Sequence, residues 1–108
     1  LTVDTCGWIL GLTHGHVAKE AGTAEQKIKR WLERMSLGRQ PIGDCDILIT
    51  GHYHHLRQAD WGSVQWLQAP ALDGGSEWFR QIRGEHSAPG ILTFATYPEA
   101  KVKDLQIL

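Results

Sequence analysis

The stretch 46-DILITGHYHH-55, with its shorter counterpart 10-LGLTHGH-16, decides how this chain is read. Each is an apolar run that stops abruptly on glycine and histidine. Five of the six histidines lie in these two places: His14 and His16 in the first, His52, His54 and His55 in the second. The unbroken Ile47-Leu48-Ile49 predicts a strand buried on both faces, as in the middle of a parallel sheet. The run 8-WILGLT-13 reads as a second buried strand. Between them lies a helix over 23–37. Thr23 with Gln26 three residues on is a capping-box pattern. Ile28, Trp31, Leu32 and Met35 fall at i, i+3, i+4 and i+7, one apolar stripe. Gly38 and Pro41 end it.

Strand, helix and strand in this order make a β-α-β unit. Parallel neighbours joined by a crossover helix have their carboxyl ends on one edge of the sheet. His14 follows one carboxyl end and His52 the other, and ligands of open α/β sheets bind at that edge. Gly15 and Gly51 are expected to provide the sharp turns there. In extended backbone, residues two apart point the same way, so His52 and His54 would serve one ion or two neighbouring ions. Neutral imidazole is the commonest nitrogen ligand for divalent transition metals. A lone histidine is more often an ordinary surface residue. Convergence of several at one sheet edge points to metal instead. His55 and His86 read as surface or loop residues. His16 reads as a group that orients a ligand or touches substrate.

Around this unit, residues 1–5 alternate as a strand and Cys6-Gly7 form a tight turn. Residues 56–61 and 64–69 flank Gly62-Ser63 as a hairpin. Residues 70–89 read as a loop with a helical turn at 77–83. Strands 91–97 and 102–108 close the chain. At 108 residues this is one domain at most. A formal net charge of −1 excludes a chain that binds nucleic acid or membrane through its overall charge. The apolar runs all fall short of a bilayer span, so no membrane partner is expected. Cys6 and Cys45 read as free, buried thiols of a reducing compartment, with the cytoplasm as the expected location.

An apolar strand ending in THGH, a helix, an apolar strand ending in GHxH and then antiparallel strands resemble the C-terminal half of calcineurin-like metallophosphoesterases. The likeness covers essentially the whole chain and rests on 10-LGLTHGH-16 and 46-DILITGHYHH-55. It implies an α/β fold, the C-terminal half of a four-layer α/β/β/α sandwich. It also implies a complete domain holding two divalent metal ions, such as Mn, Fe or Zn. The implied metal ligands are His14, His52 and His54, with His52 and His54 on different ions. Asp73 and Ser76, which follow the GHxH hairpin, would lie toward the substrate. The implied activity is phosphoester hydrolysis by water activated between the two metals, with a small phosphoester or a nucleic acid as substrate. The family's upstream D-x-H, G-D-x-x-D and G-N-H-[D/E] are absent, and with them the bridging carboxylate and the catalytic histidine. Asp4-Thr5-Cys6 is not D-x-H, and 43-GDCD-46 is misplaced and one residue short. With Leu1 in place of an initiator methionine, residues 1–108 are expected to be one partial domain, inactive alone, lacking its N-terminal half; the alternative is a degenerate relative that has lost that half.

Two other function classes are compatible with the sequence. The same fold can persist as a non-catalytic protein-interaction scaffold, and Trp61, Trp66 and Trp78 in hairpin and loop would suit interface anchors. Against that, tryptophans also fill a sheet's core. Lys27, Lys29, Arg30, Arg34 and Arg39 give the helix a modest basic face able to touch nucleic-acid phosphates. Such a run is more often a solvated helix face.

Overall fold

The computed structural model describes residues 1–16, 21–53, 55–71 and 90–108. Strands β1 (Thr2–Thr5) and β2 (Trp8–Thr13) form a hairpin, with Thr5 opposite Trp8. Its two-residue turn holds both central residues at positive φ, Cys6 at 53° and Gly7 at 85°. That is the geometry whose twist matches paired strands. Cys6, a central residue of that turn, is exposed, contrary to the buried thiol expected.

Helix α1 (Ala24–Leu37) begins as its sequence predicts. The Gln26 N–H donates to Thr23 Oγ1 at 3.2 Å, and the Thr23 N–H donates to Gln26 Oε1 at 3.0 Å. Its end differs in detail. Gly38 has an ordinary negative φ, and Arg39 takes the left-handed position at φ 56°. The Arg39 N–H donates to Ser36 O and the Gln40 N–H to Met35 O, which closes the last turn with two bonds. A 3-10 turn over Pro41–Asp44, not anticipated from sequence, then leads to β3 (Ile47–Thr50). Gly11 makes room for this turn. A Cβ there would stand 2.9 Å from Ile42 Cγ1 and 3.1 Å from Cys45 Cβ.

Strands β2 and β3 are parallel, with Leu12 beside Ile49 and Thr13 beside Thr50. The hairpin β4 (Arg57–Asp60) and β5 (Gln65–Gln68) joins the same sheet, because β5 pairs parallel with β3. The order is β1-β2-β3-β5-β4, so the centre is three parallel strands with an antiparallel strand on each edge. Strands β6 (Leu92–Tyr97) and β7 (Ala100–Ile107) form a separate antiparallel pair, turning at Pro98-Glu99. The Trp8 indole N–H donates to Tyr97 O at 2.7 Å, and the Thr5 and Thr96 hydroxyls meet at 3.0 Å. These bonds tie that pair to the first hairpin.

Ile28, Trp31 and Leu32 of α1 pack on Cys45, Leu48 and Trp66. Each fully buried side chain of this size is worth roughly 1.5–3 kcal/mol relative to exposure. Trp66 lies in this core and donates its indole N–H to Thr50 Oγ1 at 3.0 Å. Trp61 stacks on it at 5.4 Å between ring centres and donates to Glu25 Oε2. Both tryptophans therefore serve the helix–sheet core. Pleat alternation puts Ile47 and Leu67, also fully buried, on the opposite face of the sheet. Trp78 and the expected turn at 77–83 lie outside the described residues. Among the described residues no helix is long and apolar enough to cross a membrane.

Candidate metal centre

Three parallel strands end side by side, and the histidine loops leave from two of them. His14 is the first residue after β2, and His52 is the second after β3. A backbone bond locks the loops together, with the Gly51 N–H donating to His14 O at 3.1 Å. Gly15 turns the first loop at φ 99°, packed beneath Gly51 O and Ile28 Cδ1, each 3.5 Å from where a Cβ would sit.

The second loop turns differently from expectation. Gly51 is not in the left-handed region; His52 is, at φ 71°. The Tyr53 N–H donates to Gly51 O at 2.8 Å, closing a three-residue turn with His52 at its centre. A γ-turn with positive φ at its centre is rare and strained. His52 is thus not extended, and the argument that His52 and His54 share a direction by strand alternation does not hold. The far end of the loop is held by Gln68, whose Nε2 donates to His55 O at 2.8 Å.

This backbone brings the His14 and His52 rings face to edge, 5.0 Å between centres, with His14 Nε2 and His52 Nδ1 3.2 Å apart. At that separation one ring donates its N–H to the other's bare nitrogen. The same distance suits two ligands of one ion. Zn–N bonds of about 2.0–2.1 Å at a tetrahedral angle put the two nitrogens about 3.3 Å apart. Both rings are solvent-exposed, so an ion reaches them without opening the core. His16 stands near, its ring centre 5.4 Å from that of His14. His55 is half-buried. His54, His86, Asp73 and Ser76 lie outside the described residues.

Among the described residues, no three His, Cys, Asp or Glu side chains converge as a metal group. The His14–His52 pair therefore fits as part of a ligand set. Cys45 packs in the helix–sheet core. Burial, and then the neighbouring Asp46 charge, push its thiol from about 9 up to about 11. The Asp46 carboxylate accepts the Ile9 N–H at 2.8 Å and so serves the sheet.

Sequence reasoning missed two residues at this end of the sheet. Gln68 is fully buried, and among the described residues its Oε1 has no hydrogen-bond partner. Its one sequence signal is its place at the carboxyl end of the strand 65-QWLQ-68. Tyr53 is the other; its ring stands edge-on to His52 at 4.9 Å.

A mixed sheet with a crossover helix and two histidine loops on one carboxyl edge is a metallophosphoesterase-like fold. The chain is similar in structure to wild-type Vps29 of Entamoeba histolytica complexed with Zn2+, with a TM-score of 0.66 at 19% identity over 100% of this chain and 58% of that one. A single mutant of the same Vps29 gives a TM-score of 0.68 at 18% identity over the same shares. Vacuolar Protein Sorting 29 of Cryptosporidium parvum gives 0.54 at 25% identity over 73% of this chain and 36% of that one. The chain thus spans less than two thirds of the length of these proteins, and the likeness is one of fold. No protein-family model matches the sequence, and no curated protein matches it.

Proposed function

We propose that this chain supplies the histidine side of a divalent metal centre for phosphoester hydrolysis, with His14, His52 and His54 as imidazole ligands. The observation that carries the reading is the 3.2 Å approach of His14 Nε2 and His52 Nδ1 on a turn that holds His52 at positive φ. A backbone strained at one residue, where it aims a ligand-type side chain, is the usual company of a functional site. The remaining ligands, the bridging carboxylate among them, come in this reading from a complementary half of the domain. Bound metal would supply charge to acidify a water and to offset the phosphoryl oxygens. The chain's own residues hold and orient the ions. The Gly51–His14 backbone bond fixes the spacing of the two loops, and Gln68 anchors the second loop at His55. Two divalent ions of the Mn, Fe or Zn type, a phosphoester or nucleic-acid substrate and a cytoplasmic setting belong to the same proposal.

The test is zinc and manganese binding by calorimetry on the chain and on its His14→Ala, His52→Ala and His54→Ala variants. Phosphodiesterase activity is assayed in the longest natural form of the protein. Each substitution is expected to weaken metal binding at least tenfold and to abolish activity. Metal binding unchanged in all three variants refutes the ligand roles. A second reading, a protein-interaction scaffold on the same fold, draws on Ile91 and Leu108, both exposed where β6 and β7 open. Folded protein that binds no metal and has no activity would favour it.

A further inference from the structure

Lys27 of α1 does not stand out in solvent with the other basic residues of its helix. It is half-buried, and its Nζ lies 5.9 Å from the centre of the Tyr53 ring, within cation–π range. Tyr53 packs against the helix–sheet core and stands edge-on to His52 at 4.9 Å. Together the two distances hold the ammonium within about 11 Å of the His52 ring, on the order of one Debye length, so its field reaches the histidine pair. Among the described residues no carboxylate pairs with Lys27.

A fixed cation beside a metal centre opposes the metal, since like charges raise each other's cost. The arrangement becomes favourable when one polyanion touches both. At the full distance of about 11 Å, a single phosphoryl group seated on a histidine-bound metal would span too little to reach the ammonium as well. A second phosphate linked to the first lengthens the anion enough to bridge a gap of that order. We propose that Lys27, steadied by Tyr53, is an anion subsite beside the His14–His52 pair that takes the second phosphate of a diphosphate-bearing substrate. This rests on the metal-centre reading above and narrows its substrate class to esters carrying two linked phosphates.

The experiment uses zinc, pyrophosphate and orthophosphate as probes. In the longest natural form of the protein, zinc is first titrated into wild type, Lys27→Met and Lys29→Met without phosphate, which reads the metal centre alone. Pyrophosphate and orthophosphate are then titrated into each zinc-loaded protein. Lys29, exposed on the same helix, controls for general charge and for zinc–phosphate complexes in solution. A charge-assisted contact is worth roughly a factor of ten or more in affinity. Pyrophosphate is expected to bind wild type about tenfold tighter than orthophosphate, and Lys27→Met to lose most of that preference. Lys29→Met keeps it, and zinc alone binds Lys27→Met as well as wild type or better. An undiminished preference in Lys27→Met overturns the subsite. So do equal losses in the two lysine variants, or no preference in wild type. Failure of wild type to bind zinc in the first step refutes the metal centre itself, and the subsite with it.

Discussion

Replacing His52 by glycine and, separately, by alanine separates what its backbone costs from what its ring does. Both changes remove the imidazole, its 3.2 Å contact with His14 and its packing against Tyr53. They differ in the backbone alone. Residue 52 sits at φ 71° at the centre of a turn closed by the 2.8 Å bond from the Tyr53 N–H to Gly51 O. An L-residue held in such a region costs about 1–3 kcal/mol. Glycine is free of that cost but loses about 0.5–1 kcal/mol more conformational entropy on folding. The balance favours His52→Gly over His52→Ala by about 1 kcal/mol, or about 4–8 °C in melting temperature for a domain of this size. Circular-dichroism melts in a chelator should show that order, with wild type nearer the alanine variant. Zinc at about a hundred times its Kd should add about 2.7 kcal/mol to wild type. It should add little to either variant. Glycine and alanine variants that melt together would refute the strain. A zinc-induced rise that survives in both would refute the ligand role, whatever the order of the melts.

Other perturbations address the frame around the site. Arg39→Gly should stabilise by about 0.5–1 kcal/mol in chemical denaturation, because it puts glycine at the left-handed residue that closes α1. Thr50→Val strands the buried Trp66 indole N–H, which now donates to Thr50 Oγ1 at 3.0 Å, and should cost about 1–3 kcal/mol by the same assay. Thiol labelling at pH 8 should modify Cys6 quickly and Cys45 only on unfolding, since Cys6 is exposed and Cys45 buried. Burial holds the Cys45 thiol up at about 11 in the folded chain, so its contribution to stability is whole below about pH 9 and is lost as pH rises through about 11, readable as a falling denaturation midpoint.

What was legible in the sequence was whatever short-range pattern controls. Thr23 and Gln26 announce the start of α1, and Ile28, Trp31 and Leu32 announce its buried face, because capping and helical periodicity act within a few residues. The apolar runs ending at Thr13 and Thr50 gave two parallel neighbours, and parallel pairing alone brings His14 to His52. Long-range choices were not legible. The hairpin signal at Gly62-Ser63 fixes β4 against β5 but not the docking of β5 on β3, which depends on surfaces far apart in the chain. The finer turns were misplaced by one residue in the same way twice. Gly38 and Gly51 were expected to carry the unusual backbone, and Arg39 and His52 carry it instead. Glycine marks where a turn is cheap, whereas hydrogen bonding decides which residue takes the positive φ.

That displacement bears on function differently at the two sites. At Arg39 the exposed end of a helix tolerates a modest backbone cost, and nothing else is gathered there. At the carboxyl edge of the sheet the costs accumulate. His52 sits in a strained turn, and Gln68 buries an acceptor that no described residue satisfies, which is worth roughly 1–3 kcal/mol against folding. Within the proposed function, the half-buried Lys27 ammonium adds a charge that opposes a metal. A surface histidine with no task would relieve the first cost by relaxing to negative φ, but the Gly51–His14 and Gln68–His55 bonds hold the loop at both ends. Local choices that conflict with the fold are expected where a site demands them. Within the proposed function, a metal at the imidazole pair and its anionic ligand would answer two of these conflicts. It takes up the imidazole nitrogens that His52 is strained to present. Its anion brings the negative charge that Lys27 lacks.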